Sequence, residues 1–221
     1  MTNILAIETS SDACSIAVSC NNKLFSSHKK TPQKHTEKFF SSLKEVLQKA
    51  QLQLTQIEAI AVGCGPGSFT GVRLACSVAQ GLGYSLNLPI INVSSLEIIA
   101  KHALQEFQAK NIVVLVNAHM GQIYLGKFKY EKERISSSSQ EAIRIEEFSI
   151  KDFDSDTCFI GSGCKLLKSE LKNAKAFSVL HLPHALDLLS MAKKRIKEGK
   201  TIDPEKLAPI YLSGEENWIK S

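Results

Sequence analysis

The sequence predicts an α/β protein made of two related halves, and three observations carry that prediction. Short apolar or alternating runs of strand type are interleaved with longer runs whose apolar residues recur at helical spacing. Both halves open strand–turn–strand and later place a strand before a glycine loop, a faint internal duplication. Between Ala59 and Leu96 the only charged residue is Arg73. A surface helix needs a solvated polar face, so this segment must be covered on both sides.

In the first half, Ile4-Leu5-Ala6-Ile7 is a short apolar strand, and Ser15-Ile16-Ala17-Val18 alternates. Lys23-Leu24-Phe25-Ser26 follows a turn at Asn21-Asn22. The turn between the first two strands, Glu8-Thr9-Ser10-Ser11-Asp12, is rich in hydroxyls and acids. A helix follows over 36–52, with Phe39, Phe40, Leu43, Val46, Leu47 and Ala50 on one stripe. Residues 57–62 form a buried-type strand that feeds the loop Gly63-Cys64-Gly65-Pro66-Gly67-Ser68-Phe69-Thr70-Gly71. A second helix runs over 71–86 and a buried strand over 89–93.

The second helix has two ridges at period four. Leu74, Val78, Leu82 and Leu86 form a bulky one, suited to a sheet–helix core. Gly71, Ala75, Ala79 and Gly83 form a small one, which lets another helix approach closely. That other helix is either the first helix of the same chain or a helix of a second protein.

The second half repeats the scheme with strands over 111–116 and 123–128, separated by a turn at Met120-Gly121. Ser136 to Ser139 reads as a loop. Cys158-Phe159-Ile160 is a strand leading into Gly161-Ser162-Gly163, and helices are expected over 164–172 and 185–198.

Composition excludes several classes of protein. Of 221 residues, 43% are hydrophobic and 22% charged, as in ordinary folded proteins, and the net charge of +5 is spread along the chain. The densest basic runs, Lys29-Lys30 with Lys34 and Lys193-Lys194-Arg195 with Lys197 and Lys200, read as solvated helix faces. The six cysteines show neither a CxxC pair nor zinc spacing, so buried reduced thiols are expected. With no leader pattern and no long apolar run, the expectation is a cytosolic protein without a membrane span.

The glycine loop at 63–71 invites a phosphate-binding reading. A Walker loop fails because no Gly-Lys-Ser/Thr follows, and a dinucleotide fingerprint fails because Ser68 stands at the third glycine position. An anion nest at a helix N-terminus and a tight turn needing glycine dihedrals remain as alternatives. No G-x-S-x-G elbow and no HExxH motif occurs, and the pair His181/His184 has no evident third ligand.

Five segments carry a resemblance to a known family. They are Ile4-Leu5-Ala6-Ile7-Glu8-Thr9-Ser10, Gly65-Pro66-Gly67-Ser68-Phe69-Thr70-Gly71-Val72-Arg73, Val93-Ser94-Ser95-Leu96-Glu97, Asn117-Ala118-His119-Met120-Gly121-Gln122-Ile123-Tyr124 and Pro209-Ile210-Tyr211-Leu212. Together they resemble the bacterial TsaB family over nearly the whole chain. His119 and Ser213 depart from it, since arginine usually stands at both places.

The resemblance implies an actin/Hsp70-like ATPase fold with two ribonuclease-H-like domains, their mixed sheets flanked by helices. The expected domains are 1–104, with the tail 207–221 packing back on it, and 105–206. TsaB proteins are understood as non-catalytic partners of TsaD, which transfers a threonylcarbamoyl group to adenosine 37 of tRNA, together with the ATPase TsaE. The implied docking surface is the pair of N-terminal helices, here Phe39, Leu43, Gly71, Ala75, Ala79 and Gly83. A homodimer is the alternative when the chain is alone, and contact with tRNA is expected only indirectly. Aligned through Val93 and Glu97, the metal-binding histidines of TsaD fall at Ser95 and Ile99, so no metal and no catalytic residue is expected here. The fold's magnesium-placing acids correspond to Glu8, retained, and Asn117, lost. Degenerate nucleotide loops would comprise Thr9, Ser10, Gly65, Gly67, Ser68, Gly161 and Gly163, with ATP or ADP and the metal belonging to the partner enzyme. The rival readings are a glycoprotease-like peptidase and a free-standing nucleotide-binding module.

Overall fold

The computed structural model describes residues 2–30, 35–107, 109–131, 134–179 and 181–212. It divides into two units, Met1–Ile98 with Pro183–Ile210, and Ile99–Leu182 with Tyr211–Ser221.

In the first unit β1 (Ile4–Glu8), β2 (Ala13–Cys20), β3 (Lys23–Lys30), β4 (Ala59–Gly63) and β5 (Ile90–Val93) form one sheet in the order β3-β2-β1-β4-β5. The β1–β2 and β2–β3 pairs are antiparallel, whereas β1–β4 and β4–β5 are parallel. Both faces are covered, so the central strands are buried throughout rather than alternating. Leu5, Ile7, Ile16, Val18, Ile60 and Val62 face α1 (His35–Ala50) and α2 (Phe69–Leu86). Ile4, Ala6, Ala17, Ala59 and Ala61 face α4 (Ala185–Lys197).

The division between the units falls within α3 (Ser95–Phe107), a helix absent from the sequence-based expectation. In the second unit β6 (Asn111–His119), β7 (Gln122–Glu131), β8 (Arg134–Arg144), β9 (Cys158–Ile160) and β10 (Ala176–Ser178) form a sheet in the order β10-β9-β6-β7-β8. Read from the other edge this is the order of the first sheet, with the same antiparallel and parallel pairs. The faint duplication in the sequence is therefore a duplication of topology: two ribonuclease-H-like sheets in an α/β protein.

Four expectations need correction. The serine run at 136–139 lies inside β8, because serine hydroxyls tolerate the solvated edge position that β8 occupies. The helix expected over 164–172 is two 3₁₀ turns, Ser162–Lys165 and Glu170–Asn173, which bury Cys164 and Leu171. The segment 183–206 belongs with the first unit, because the apolar stripe Ala185, Leu188, Leu189 and Ala192 fills the second face of its sheet.

The ridges of α2 are reversed relative to expectation. Ala75 and Ala79 are fully buried, Gly71 lies against the Thr9 carbonyl, and Gly83 lies against Pro204. Leu74, Val78 and Leu82 are only half-buried at the edge of the same core. The chain itself occupies the groove beside the small ridge. The Gln80 side-chain amide donates to the Leu207 carbonyl at 2.9 Å, Ile202 bridges Ile90, and the Ile210 amide donates to the Cys64 carbonyl at 2.7 Å. Phe39 and Leu43 of α1 are likewise core residues, so all six residues expected to meet a partner are packed inside the unit.

All six cysteines are buried and free. Burial pushes the Cys64, Cys76 and Cys164 thiols up to about 12 and Cys14 to about 11. The thiolate is the reactive form, so Cys14, Cys64, Cys76 and Cys164 of the folded protein are expected to resist a disulfide exchange reagent at neutral pH and to react only after denaturant is added. The same shifts make these thiols stabilising below their unfolded value of 9.0, a contribution lost as pH rises from there toward 12. Rapid labelling of Cys64 or Cys164 in native protein would contradict this packing.

Candidate functional site

The candidate site of the first unit lies where β1 and β4 end, at the turn 8–12 and the glycine loop 63–71. Glu8 is the last residue of β1 and is completely buried. Its Oε1 accepts from the Ser10 amide at 2.5 Å and its Oε2 from the Ser95 hydroxyl at 2.9 Å. Ser95 in turn accepts from the Gly65 amide at 3.2 Å, while the Ser95 amide donates to the Gly65 carbonyl at 2.8 Å. One carboxylate thus ties the first turn, the glycine loop and the start of α3 together.

The two loops also join each other directly. The Ser68 amide donates to the Ser10 carbonyl at 2.7 Å, and the Thr9 hydroxyl donates to the Gly71 carbonyl at 2.6 Å. Ser68 caps α2 by accepting from the Gly71 amide at 3.4 Å. Glycine is required by close approach: a Cβ on Gly67 would stand 2.2 Å from the Ser10 carbonyl oxygen, and one on Gly71 would stand 1.8 Å from that of Thr9. Gly65 adopts φ +93° before a cis peptide bond to Pro66. Thr9, Ser10, Gly65, Gly67 and Ser68 therefore lie together. The flank of each tight glycine is taken by the chain's own backbone, where a phosphate would need to approach.

Arg73 does not turn toward this loop. Its guanidinium stacks 3.4 Å above the ring centroid of Phe69, one turn earlier on the exposed side of α2.

The equivalent place in the second unit is similar. Gly161, at φ +106°, would bring a Cβ within 2.4 Å of the Leu115 carbonyl oxygen, and Gly163 also lies against Leu115. The Ser162 hydroxyl accepts from the Asn117 amide at 3.1 Å. The Asn117 side chain accepts from the His119 amide at 2.9 Å, which holds the β6–β7 turn, with His119 and Met120 both at positive φ.

The residue pair aligned with a metal site is Ser95, whose hydroxyl is engaged by Glu8, and Ile99, which is buried. Isoleucine offers no donor atom. Among the described residues no group of three or more His, Cys, Asp or Glu side chains converges as a metal site. His181 packs against His102 and Phe107, and His184 stacks on His28 while capping α4, so the two do not act as a pair. The donor set fits neither a catalytic metal nor a magnesium–phosphate cluster. The hydrogen bonds by which Glu8 joins the Ser10 turn to Ser95 are what sequence reasoning missed. The hydroxyl-rich sequence Thr9-Ser10-Ser11 was their visible signal.

Burial pushes the Glu8 carboxyl above the usual carboxylate range, opposed by the hydrogen bonds from Ser10 and Ser95. A raised folded value favours the native state most below 4.5, and that contribution is lost as pH rises through the raised value. Glu8→Gln keeps an acceptor for Ser10 and carries no charge. Its melting temperature relative to wild type is expected to rise steadily from pH 4.5 to neutrality. A difference independent of pH, in parallel thermal scans, would contradict a desolvated carboxylate.

Comparison with known proteins places this geometry. The family described as tRNA N6-adenosine threonylcarbamoyltransferase, TsaD, matches residues 25–220. The tRNA threonylcarbamoyladenosine biosynthesis protein TsaB of Haemophilus influenzae is 31% identical over 98% of this chain and 96% of its own length. The protein of the same name from Escherichia coli K12 is 31% identical over 98% and 97%. A crystal structure from Pseudomonas aeruginosa, described as an uncharacterized protein with similarity to peptidase YeaZ, superposes with a TM-score of 0.90 at 31% identity. It covers 96% of this chain and 100% of that one.

Proposed function

Because the chain belongs to the TsaB family of tRNA threonylcarbamoyladenosine biosynthesis proteins, we propose that it is a non-catalytic subunit of that modification machinery, binding and supporting TsaD together with TsaE. The observation that carries the reading is the internal saturation of the candidate site. Glu8, Thr9, Ser10 and Ser95 are engaged with one another and with the glycine loop, which favours a structural role for loops that would otherwise hold nucleotide. On this reading the chain has no cofactor of its own, and nucleotide and metal belong to the partner. A peptidase reading, suggested by the wording of one structural relative, would need a nucleophile beside a base; the thiols with raised values are buried and protonated.

The docking face is the outer side of α1 and α2. Phe40 is 61% exposed, Phe69 48% and Tyr84 74%, although all three are large and apolar. Arg73, Ser77, Gly81 and Ser85 are exposed at period four along α2, which supplies an outward row of mostly small residues. No helix among the described residues is long and apolar enough to cross a membrane.

Two α2 variants test the assignment. A Cβ on Gly81 would meet nothing within 4 Å. Gly81→Arg is therefore expected to keep or raise the melting temperature, since glycine costs about 1 kcal/mol in an exposed helix interior. The variant should lose TsaD association, and support of tRNA threonylcarbamoylation in a reconstituted reaction should fall at least about tenfold, a loss of ~1.4 kcal/mol in binding. Ala79→Arg, which buries a charge in the core, is expected not to fold. Folded Gly81→Arg protein with wild-type affinity for TsaD would refute the proposed face; in the absence of TsaD, sedentary pairing of two copies through it would show as a wild-type dimer that Gly81→Arg dissociates.

A further inference from the structure

At the opposite end of the first sheet from the glycine loop, a cavity of about 310 Å³ opens between the start of β1, the β2–β3 turn and the last turns of α4. Its lining is Thr2, Ile4, Ser19, Asn21, Asn22, Lys193, Ile196 and Lys197. The polar groups are hydroxyls, carboxamides and two ammonium groups, and no acid is among them. Asn21 and Asn22 form the turn in left-handed conformations, φ 48° and 61°, which puts two adjacent carboxamides at the rim.

The basic run of α4 is split by function. Arg195 is structural: its guanidinium donates to the Asn92 carbonyl and, at 2.6 Å, to the Glu97 carboxylate, fastening α4 to β5 and α3. Lys200 pairs with Glu198 at 2.8 Å. Lys193 and Lys197 instead line the cavity one helical turn apart, and among the described residues neither is in an ion pair. Like charges at this spacing repel, and an anion between them removes the repulsion. The cavity is too large for an inorganic phosphate alone, and Ile4 with Ile196 supplies an apolar wall against which a sugar or base can rest. Lys23 is exposed directly after the turn, and the chain's net charge is +5.

We propose that this cavity is a phosphate subsite that takes one nucleotide of an RNA strand, with the phosphate between Lys193 and Lys197 and the sugar over Ile4 and Ile196. The inference rests on the role in tRNA modification proposed above and adds a direct RNA contact, where the sequence pointed only to an indirect one.

The test measures binding of a fluorescent tRNA transcript across a salt series, with the full chain alone and with TsaD. Lys193→Ala/Lys197→Ala is expected to weaken binding about tenfold or more and to lower the slope of log affinity against log salt by about 1, since both lysines contact one phosphate. Asn22→Asp, which places a carboxylate at the rim while leaving both lysines, is expected to weaken binding as well. Lys165→Ala/Lys168→Ala, an exposed pair outside the cavity, removes the same charge and is expected to change little. Competition by adenosine monophosphate that is lost in the double variant would place a nucleotide in the cavity; equal competition by polyglutamate would overturn RNA as the occupant. No binding by wild type, or equal losses in the two double variants, would also overturn it. Reconstituted threonylcarbamoylation by wild type separates the two claims: if it proceeds while the cavity variants bind tRNA normally, the subsite fails and the subunit role stands.

Discussion

The first unit depends on one buried carboxylate. Glu8 ends the central strand β1 completely buried, and among the described residues its bonds come from an amide and a hydroxyl rather than from a cation. Burying such a group is costly unless its oxygens are satisfied, and both are. Satisfying them requires the Ser10 turn and the Ser95 helix start to converge on one point, and that convergence brings the glycine loop with it through Gly65. The tight approach of Gly67 and Gly71 to the turn follows from the same geometry. The carboxylate is engaged from within the unit, and the loops close on themselves.

Much of this was legible in the sequence, and the illegible parts share a cause. Strands β1, β2, β4 and β6 carry apolar runs that leave little choice, and helices α1, α2 and α4 have clear periodicity. Periodicity shows that a helix has ridges but not which ridge faces the sheet. On α2 the answer came from residues 202–210, more than a hundred positions away, which fill the groove beside Ala79 and Gly83. The serine run of β8 has no apolar alternation because an edge strand solvated along its length needs little. The two 3₁₀ turns after Gly161 and the short strand β10 are set by tertiary packing around Leu167 and Leu171 rather than by local propensity.

At the site, the constituent residues of both candidate loops could be named from the sequence, but their employment could not. Thr9, Ser10 and Gly67 look the same in a loop that grips phosphate and in one that grips its neighbour. The difference lies in distances such as the 2.7 Å bond from Ser68 to Ser10, which no spacing pattern encodes. The same holds for the basic end of α4, where Arg195, Lys200 and the pair Lys193/Lys197 have separate fates that a charge run conceals.

The return of α4 to the first sheet has a consequence for biosynthesis. As the chain leaves the ribosome, residues 4–93 can pair their strands and receive α1 and α2, but Ala6, Ala17, Ala61 and Ile91 stay bare on the other face. Their cover, Leu188, Leu189 and Ala192, is translated only after β6 to β10. Domains tend to fold in the order they emerge. In this protein the unit made first is finished last, with its sister, largely one uninterrupted stretch, able to settle in the interval. For that time a nascent chain displays an open apolar sheet face, and shielding it falls to whatever holds the chain at the exit tunnel.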